Sequence, residues 1–577
     1  MKKYIFDNSN IAESYSGVTT PLTYSFARYA YQEVYKHFCR MMGVTPAIIE
    51  KNTDMFSRMV VFIGYRMYYD LINWYKLVSF LPGYRFNRGF FEKMLGVQQS
   101  YLHIREEQDG FVRKYFIILP RVILQTMGII YSFIFMGPLI KSFNKRFDRV
   151  FGEINAIDLT QLDEDELEAL FFRLHKDLVS QWRVPIANDF AVMVSTGIAD
   201  SLFKKWFPES SVYSFLYSKS HSPLISLDPG LQIVELVSQI KDDSFILSVF
   251  EKGMNSEEIL RILQQDFTNH PIKLLLEKYL KTFGSRTPNE LKLEVKTINE
   301  RPEILIELLR SLVIGDNDLK NHGQNGRLVQ PDFDRIGFLK KIILRKVLDW
   351  SINSIARREE TRLRRAMIFG FARKIFLALG QRFQKKGALN AVEDIFFLTT
   401  EDIFAFVKKS NTIDLKPLVA KRKMEFDSWW TIDTPRRIET SKSIDEIEQE
   451  LSKQKPQYVE STSLFVKGVV ASRPKIDIVS GMALVLPEFD PEANFAGKIL
   501  VTKQTDPGWT VVFPLLKGLV VERGGMLSHA AIVARELNIP CIVGVDQATS
   551  FIKDGNLIRI DLGKGEIHVE NKQFVSP

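Results

Sequence analysis

Val521-Glu-Arg-Gly-Gly-Met-Leu-Ser-His529-Ala-Ala-Ile-Val-Ala-Arg-Glu-Leu537-Asn-Ile-Pro540-Cys-Ile-Val-Gly-Val545 is the stretch on which the reading of this chain turns. The apolar residues Gly518 to Val521 that lead into it have the composition of a strand. At Gly524-Gly525 the backbone is free to take positive φ and to approach a ligand closely. Ser528 is a good helix N-cap, and His529 to Leu537, rich in alanine, predicts about two and a half turns of helix. Pro540 stops that helix, and Cys541 to Val545 reads as a second buried strand.

This order puts one imidazole on the first turn of a helix, beside a glycine turn with backbone N–H groups to offer. The positive end of the helix dipole disfavours imidazolium, so His529 is expected to be neutral and nucleophilic near neutral pH. A dianionic group on the ring would be stabilised by the same dipole and the same N–H groups. Both properties suit a histidine that carries a phosphoryl group. The bland alternative is a capping or packed histidine at a strand-to-helix junction.

Glu522 to Arg535 closely resembles the phosphohistidine signature of the phosphoenolpyruvate-utilising enzymes, a group that includes pyruvate phosphate dikinase, phosphoenolpyruvate synthase and rifampicin phosphotransferase. Thr505-Asp-Pro-Gly-Trp509 upstream and Asn538 to Gly544 downstream match the same family, and Asp554-Gly555 and Gly563-Lys-Gly565 close the domain. Leu527 and Cys541 depart from the usual threonine and alanine without touching the phosphoryl acceptor. The resemblance implies His529 as the catalytic residue. It places Arg523, Gly524, Gly525, Ser528 and Arg535 around the phosphoryl group.

The 577 residues are too many for one core. With 45% apolar and 25% charged residues the composition is that of a globular protein. Cys39 and Cys541 are the only cysteines, which points to a reducing, cytoplasmic setting and gives no cysteine metal site. The net charge of +8 permits anionic substrates, but no nucleic-acid recognition motif accompanies it. The uncharged run Val122 to Ile140 approaches the length of a membrane span, yet it contains Gln125, Thr126, Gly128, Gly137 and Pro138. It is read as a buried core helix or the lining of an apolar pocket, and a membrane partner is not expected.

Aromatic-rich helical patterns begin at Leu22, and Leu159 to Trp182 is amphipathic, with Asp163 to Glu166 suited to its N-terminal dipole rather than to a metal. The opening around Ser14 to Thr23, Leu81 to Tyr84 and Gly387 to Thr399 resemble parts of the family's helical domain. Phe283 to Glu290 loosely resembles a glycine-arginine-acid element, which lends Arg286 a substrate role although Thr287 and Pro288 depart from the pattern. Between Lys340 and Lys386 there are fourteen Lys or Arg and three Asp or Glu. Arg357, Arg358, Arg362 and Arg365 can share a helical face there, either as a solvated basic surface or as a receiver for a phosphorylated loop or anionic substrate.

The expected architecture is multidomain: a large, mostly α-helical substrate-binding domain over residues 1–455, a linker at 456–465, and a small α/β swivelling phosphohistidine domain at 466–577. The chain shows no Walker loop and no ATP-grasp domain. The resemblance therefore implies a phosphotransferase component with no cofactor of its own. ATP and Mg would come through a separate ATP-grasp protein, and a small-molecule acceptor would bind in the helical domain. The alternative is a non-catalytic binding or regulatory protein that retains the histidine domain.

Overall fold

A computed structural model describes residues 4–80, 119–208, 212, 216, 228–252, 254–265, 270–285, 287–314, 333–409, 414–430, 432, 434–453, 465–474, 476–490, 493–526 and 528–570. The chain is mostly helical, with an α/β region near its C-terminus. It divides into two compact units: residues 1–195, 291–294 and 361–457 form one, and residues 196–290, 295–360 and 458–577 the other. Leu81 to Tyr84, Arg286, Leu527 and all but the last residue of the expected linker lie outside the described residues.

The first unit is built on helix α1 (Pro21–Met41), which starts at the proline permitted in a first turn and buries Leu22, Phe26, Val34 and Phe38. A small antiparallel sheet, absent from the sequence reading, stands beside it in the order β2-β3-β1-β4: β1 (Tyr4–Asp7), β2 (Val60–Ile63), β3 (Arg66–Asp70) and β4 (Arg437–Thr440). Gly64 and Tyr65, with φ of 55° and 56°, make the two-residue left-handed turn that joins β2 to β3. Asp163 caps the helix Glu164–Asp177 in a reciprocal capping box with Glu166, so the acidic run serves the helix end as expected.

The apolar run Val122 to Ile140 departs from its reading. It forms α2 (Leu119–Ile134) and the start of α3 (Met136–Asn155), and it is not a buried core helix. Ile123, Met127, Tyr131, Ile134 and Phe135 are exposed, while Ser132, Met136 and Ile140 are buried. The spacing of the exposed residues puts them on one side of the helix. Among the described residues no single helix is long and apolar enough to cross a membrane, although the bent pair Thr126–Ile134 and Met136–Asn155 has the length and composition to do so.

The second unit joins helices between residues 228 and 314, beginning with α4 (Asp228–Asp242), to an eight-stranded sheet. Its strands are β5 (Phe465–Lys467), β6 (Val469–Ser472), β7 (Ile478–Val485), β8 (Ile499–Thr502), β9 (Gly518–Val521), β10 (Cys541–Val543), β11 (Leu557–Asp561) and β12 (Glu566–Glu570). The order is β5-β12-β11-β7-β8-β9-β10-β6, with β7 to β10 parallel. Only Gly468 separates β5 from β6, yet these two strands lie at opposite ends of the sheet order, so the sheet must curl until its edges meet. A Cβ on Gly468 would sit 2.5 Å from Val545 Cγ2 and 2.7 Å from Val543 O, which is why a glycine stands at that seam.

Alternation along the strands separates two cores. Ile499, Val501 and Val520 point with Ile542, Ile558 and Ile560 into one apolar cluster. Leu500, Leu519 and Val521 point the other way, into a cluster shared with Ala531 and Ala534 and with Ile233, Leu236 and Ile240 of α4. The long helix α5 (Phe338–Lys385) contributes to both units along its length, residues up to 360 to the second and from 361 to the first.

Candidate functional site

Helix α6 (His529–Glu536) begins where the sequence places it, one turn after the glycines that follow β9. Ser528 is its N-cap, accepting from the Ala531 N–H at 3.4 Å. Gly524 has φ of 117°, a backbone region that side chains rarely tolerate, and a Cβ on Gly525 would meet only open space. The N–H groups of Gly524 and Gly525 make no hydrogen bond among the described residues. A site thus forms at the C-terminal ends of parallel strands β8 and β9, with a helix N-terminus and a glycine turn facing the same place. Parallel strands in α/β folds, closed or open, bind ligands at their C-terminal ends.

His529 is 2% exposed. Its Nε2 lies 2.9 Å from Oγ1 of Thr510, which is itself fully buried, and its ring stands 6.2 Å from that of Phe513. For Nε2 to be a nucleophile it must lack a proton, so the Thr510 hydroxyl donates to it in the reactive tautomer. Thr510 therefore holds the ring in one orientation and caps the nitrogen at the same time. Sequence reading missed this residue, although it follows directly on the quoted Thr505 to Trp509 motif.

That motif is held by a second one. Asp506 accepts from the Gly508 N–H at 2.8 Å and from the Asn289 N–H at 2.5 Å. A Cβ on Gly508 would fall 2.1 Å from Pro288 N and 2.4 Å from Thr287 C, so backbone meets backbone there and only glycine fits. The loop resembling the glycine-arginine-acid element thus docks on the turn that carries Thr510. Thr287 and Pro288, its departures from the family pattern, make the contact. Gly230 in α4 approaches the same turn, where a Cβ would be 3.0 Å from Thr510 O.

The arginines divide by role. Arg535 is buried, and its guanidinium donates to Ala471 O at 2.5 Å, to Met526 O at 2.6 Å and to Met526 Sδ at 3.4 Å. It ties β6 and the glycine turn to α6, and these three contacts go to the fold. Arg523 is half-buried, with its N–H on Lys503 O at 2.9 Å. The adjacent Glu522 is buried and accepts from Thr549 through both N–H, at 2.7 Å, and hydroxyl, at 2.5 Å, which fixes the end of β9. No local pattern signals that pair.

Arg357, Arg358, Arg362 and Arg365 all lie on α5 and all are half-buried, so they are not a freely solvated face. Burial pulls the Arg357 guanidinium below its usual range, opposed by Glu360. Among the described residues no group of three or more His, Cys, Asp or Glu side chains could hold a metal ion.

Comparison with known proteins meets this geometry at two places. Residues 495–565 match the family model of the PEP-utilising enzyme, mobile domain, which bears out the resemblance carried by the histidine motif. Residues 186–359 match that of the rifampicin phosphotransferase fourth domain, a range that covers most of the helical part of the second unit. The chain is 26% identical over 72% of its length to a rifampicin phosphotransferase of Bacillus cereus, covering 47% of that protein. It is 27% identical over 66% of its length to a rifampicin phosphotransferase of Streptomyces sviceus, covering 43%. A rifampicin phosphotransferase of Bacillus subtilis is 24% identical over 59% of the chain, with 38% of that protein covered. The chain thus spans less than half the length of these relatives.

Proposed function

We propose, for a chain with the mobile domain of phosphoenolpyruvate-utilising enzymes and likeness to rifampicin phosphotransferases, that it is a phosphotransferase component working through phosphorylated His529. The observation that carries the reading is His529 on the first turn of α6, beside the unengaged N–H groups of Gly524 and Gly525. In the first half-reaction an imidazole nitrogen attacks the phosphorus of a donor, a P–N bond forms, and the P–O bond to the leaving group breaks. The donor is ATP with Mg, presented by a separate ATP-grasp protein; by analogy the attack falls on the β-phosphorus, AMP leaves with the α–β oxygen, and water then cleaves the β–γ P–O bond, releasing inorganic phosphate and leaving the β-phosphoryl on the ring. In the second, a hydroxyl of a small-molecule acceptor attacks the phosphorus. The P–N bond breaks and the ring regains a neutral nitrogen, while the hydroxyl proton leaves to a base.

The chain's own part is to orient and protect. Thr510 holds the ring, Ser528 caps the helix whose dipole favours the dianion, and the two glycines bring N–H groups to the phosphoryl oxygens. A ring that is 2% exposed must be uncovered before it can be phosphorylated, so the reaction includes an opening step of the mobile domain. Arg523 offsets charge on the phosphoryl group once that step has occurred. Two buried free thiols fit a reducing, cytoplasmic setting.

The burial of His529 also favours a second reading, a non-catalytic binding protein in which the ring is structural. One experiment separates the two. The chain is incubated with ATP, Mg and a cognate ATP-grasp protein, and the expected product is an acid-labile, base-stable label that His529→Ala abolishes. Label that survives the substitution refutes the assignment, and the absence of any label with an active ATP-grasp protein returns His529 to the structural reading.

A further inference from the structure

In the first unit, Arg365 stands out. It is half-buried on α5, its Nε has no exposed surface, and the guanidinium makes no hydrogen bond or ion pair with any described residue. Its neighbour Arg364, by contrast, grips Asp148 through two bonds of 3.0 Å. A guanidinium N–H withdrawn from water without a partner is costly, and native proteins seldom keep one that nothing uses.

What surrounds it is aromatic and hydroxylated. One turn further along α5, Phe369 lies on the same face and packs on Tyr15 at 6.4 Å and Phe26 at 4.9 Å. Tyr31 and Tyr69 share a hydroxyl contact of 3.2 Å, and Tyr31 and Tyr35 lie ring to ring at 5.9 Å. Trp74 closes the group, 4.9 Å from Tyr35 and 4.8 Å from Tyr69. Burial raises the phenols of Tyr15, Tyr31 and Tyr35, and in each the positive charge of Arg365 works the other way, so the cation lies within electrostatic reach of all three. The acidic groups within the same electrostatic reach are Asp189 and Glu294. Glu294 is already engaged, by the Thr20 N–H and by the hydroxyls of Thr20 and Thr23 at 2.6 to 3.1 Å. Tyr31 and Tyr35 are half-buried, whereas Tyr15 and Tyr69 are buried.

We infer that Arg365, with Tyr15, Tyr31, Tyr35 and Tyr69, forms a binding site for a small molecule that carries an anionic oxygen group on an aromatic body. The carboxylate or phenolate of the ligand takes the planar fork of Arg365, and its ring lies among the tyrosines. This names a class for the acceptor and so rests on the transfer reading, but its test does not involve His529.

The test is calorimetric titration of the full chain with 4-hydroxybenzoate, with uncharged 4-hydroxybenzyl alcohol and with inorganic phosphate. Saturable binding of 4-hydroxybenzoate is expected, weakened by about tenfold or more in Arg365→Gln, the loss of a charge-assisted contact. The alcohol should bind weakly and equally to both proteins. Arg365→Lys keeps the charge without the fork and should fall between the two. The melting temperature of Arg365→Gln should stay level or rise, since an arginine without partners in the free protein contributes no contact to the fold. Absence of saturable binding, equal binding in Arg365→Gln, or tighter binding of phosphate overturns the inference. So does a variant that melts several degrees lower or fails to fold, which marks Arg365 as structural. A chain that labels on His529 and yet binds no aromatic carboxylate loses this inference alone.

Discussion

Thr510→Val tests whether the hydroxyl at 2.9 Å from His529 Nε2 keeps the imidazole covered. Valine has nearly the shape of threonine, and Thr510 is fully buried, so packing around the site is preserved while one hydrogen bond is deleted. The covered state then leaves the ring nitrogen without that partner, a loss of about 1–3 kcal/mol. The uncovered state loses nothing comparable, because water replaces the hydroxyl there. At about 1.4 kcal/mol for each factor of ten, the uncovered population should rise roughly five- to a hundredfold. The assay is the rate of carbethoxylation by diethylpyrocarbonate, followed by mass spectrometry of the peptides. His568, half-buried on β12, serves as the internal reference. A His529 rate that stays level relative to His568, or falls, refutes the claim that Thr510 holds the covered state.

Two further perturbations probe the fold around the candidate sites. Gly508→Ala drives a methyl group to 2.1 Å from Pro288 N, backbone with nowhere to retreat, and should lower stability by about 1–3 kcal/mol, read as a drop in the urea midpoint. An unchanged midpoint would show that the 287–289 loop does not dock there in solution. His175, buried and 4.2 Å from the ring of Tyr29, has its pKa pushed down to about 4 by burial, against the smaller opposing effect of Glu33. Above its ordinary 6.5 neither the folded nor the unfolded chain protonates it. Between that value and about 4 only the unfolded chain binds the proton, so this residue should cost up to about 1.4 kcal/mol of stability per pH unit as the pH falls. His175→Phe should flatten that part of the pH dependence of unfolding, and an unaltered slope between pH 7 and pH 5 would contradict it.

The strand, glycine turn, capped helix and second strand from Gly518 to Val543 were legible in the sequence because each is set by local rules. A run of β-branched residues, a glycine that must take positive φ, a serine before an alanine-rich turn and a proline after it all act within a few residues. The same holds for the capping box at Asp163 and Glu166 and for the long helix through Arg357 to Arg365. Family likeness added the chemistry of His529, which periodicity and propensity alone left open between a phosphoryl carrier and a packed ring.

Tertiary structure decided which groups meet. Asn289 and Asp506 are 217 residues apart, and nothing in either segment encodes the other, since a buried N–H is satisfied by whatever acceptor the fold brings to it. The closure of the eight-stranded sheet through Gly468 is likewise a property of two distant edges, which nothing local to Phe465–Lys467 or Val469–Ser472 encodes. Arg535 looked available for a phosphoryl group until the carbonyls of Ala471 and Met526 were placed against it. The run from Val122 to Ile140 looked like core because composition reports how apolar a helix is. Which of its sides finds a neighbour is settled only by packing, and Ile123, Met127 and Tyr131 stand exposed.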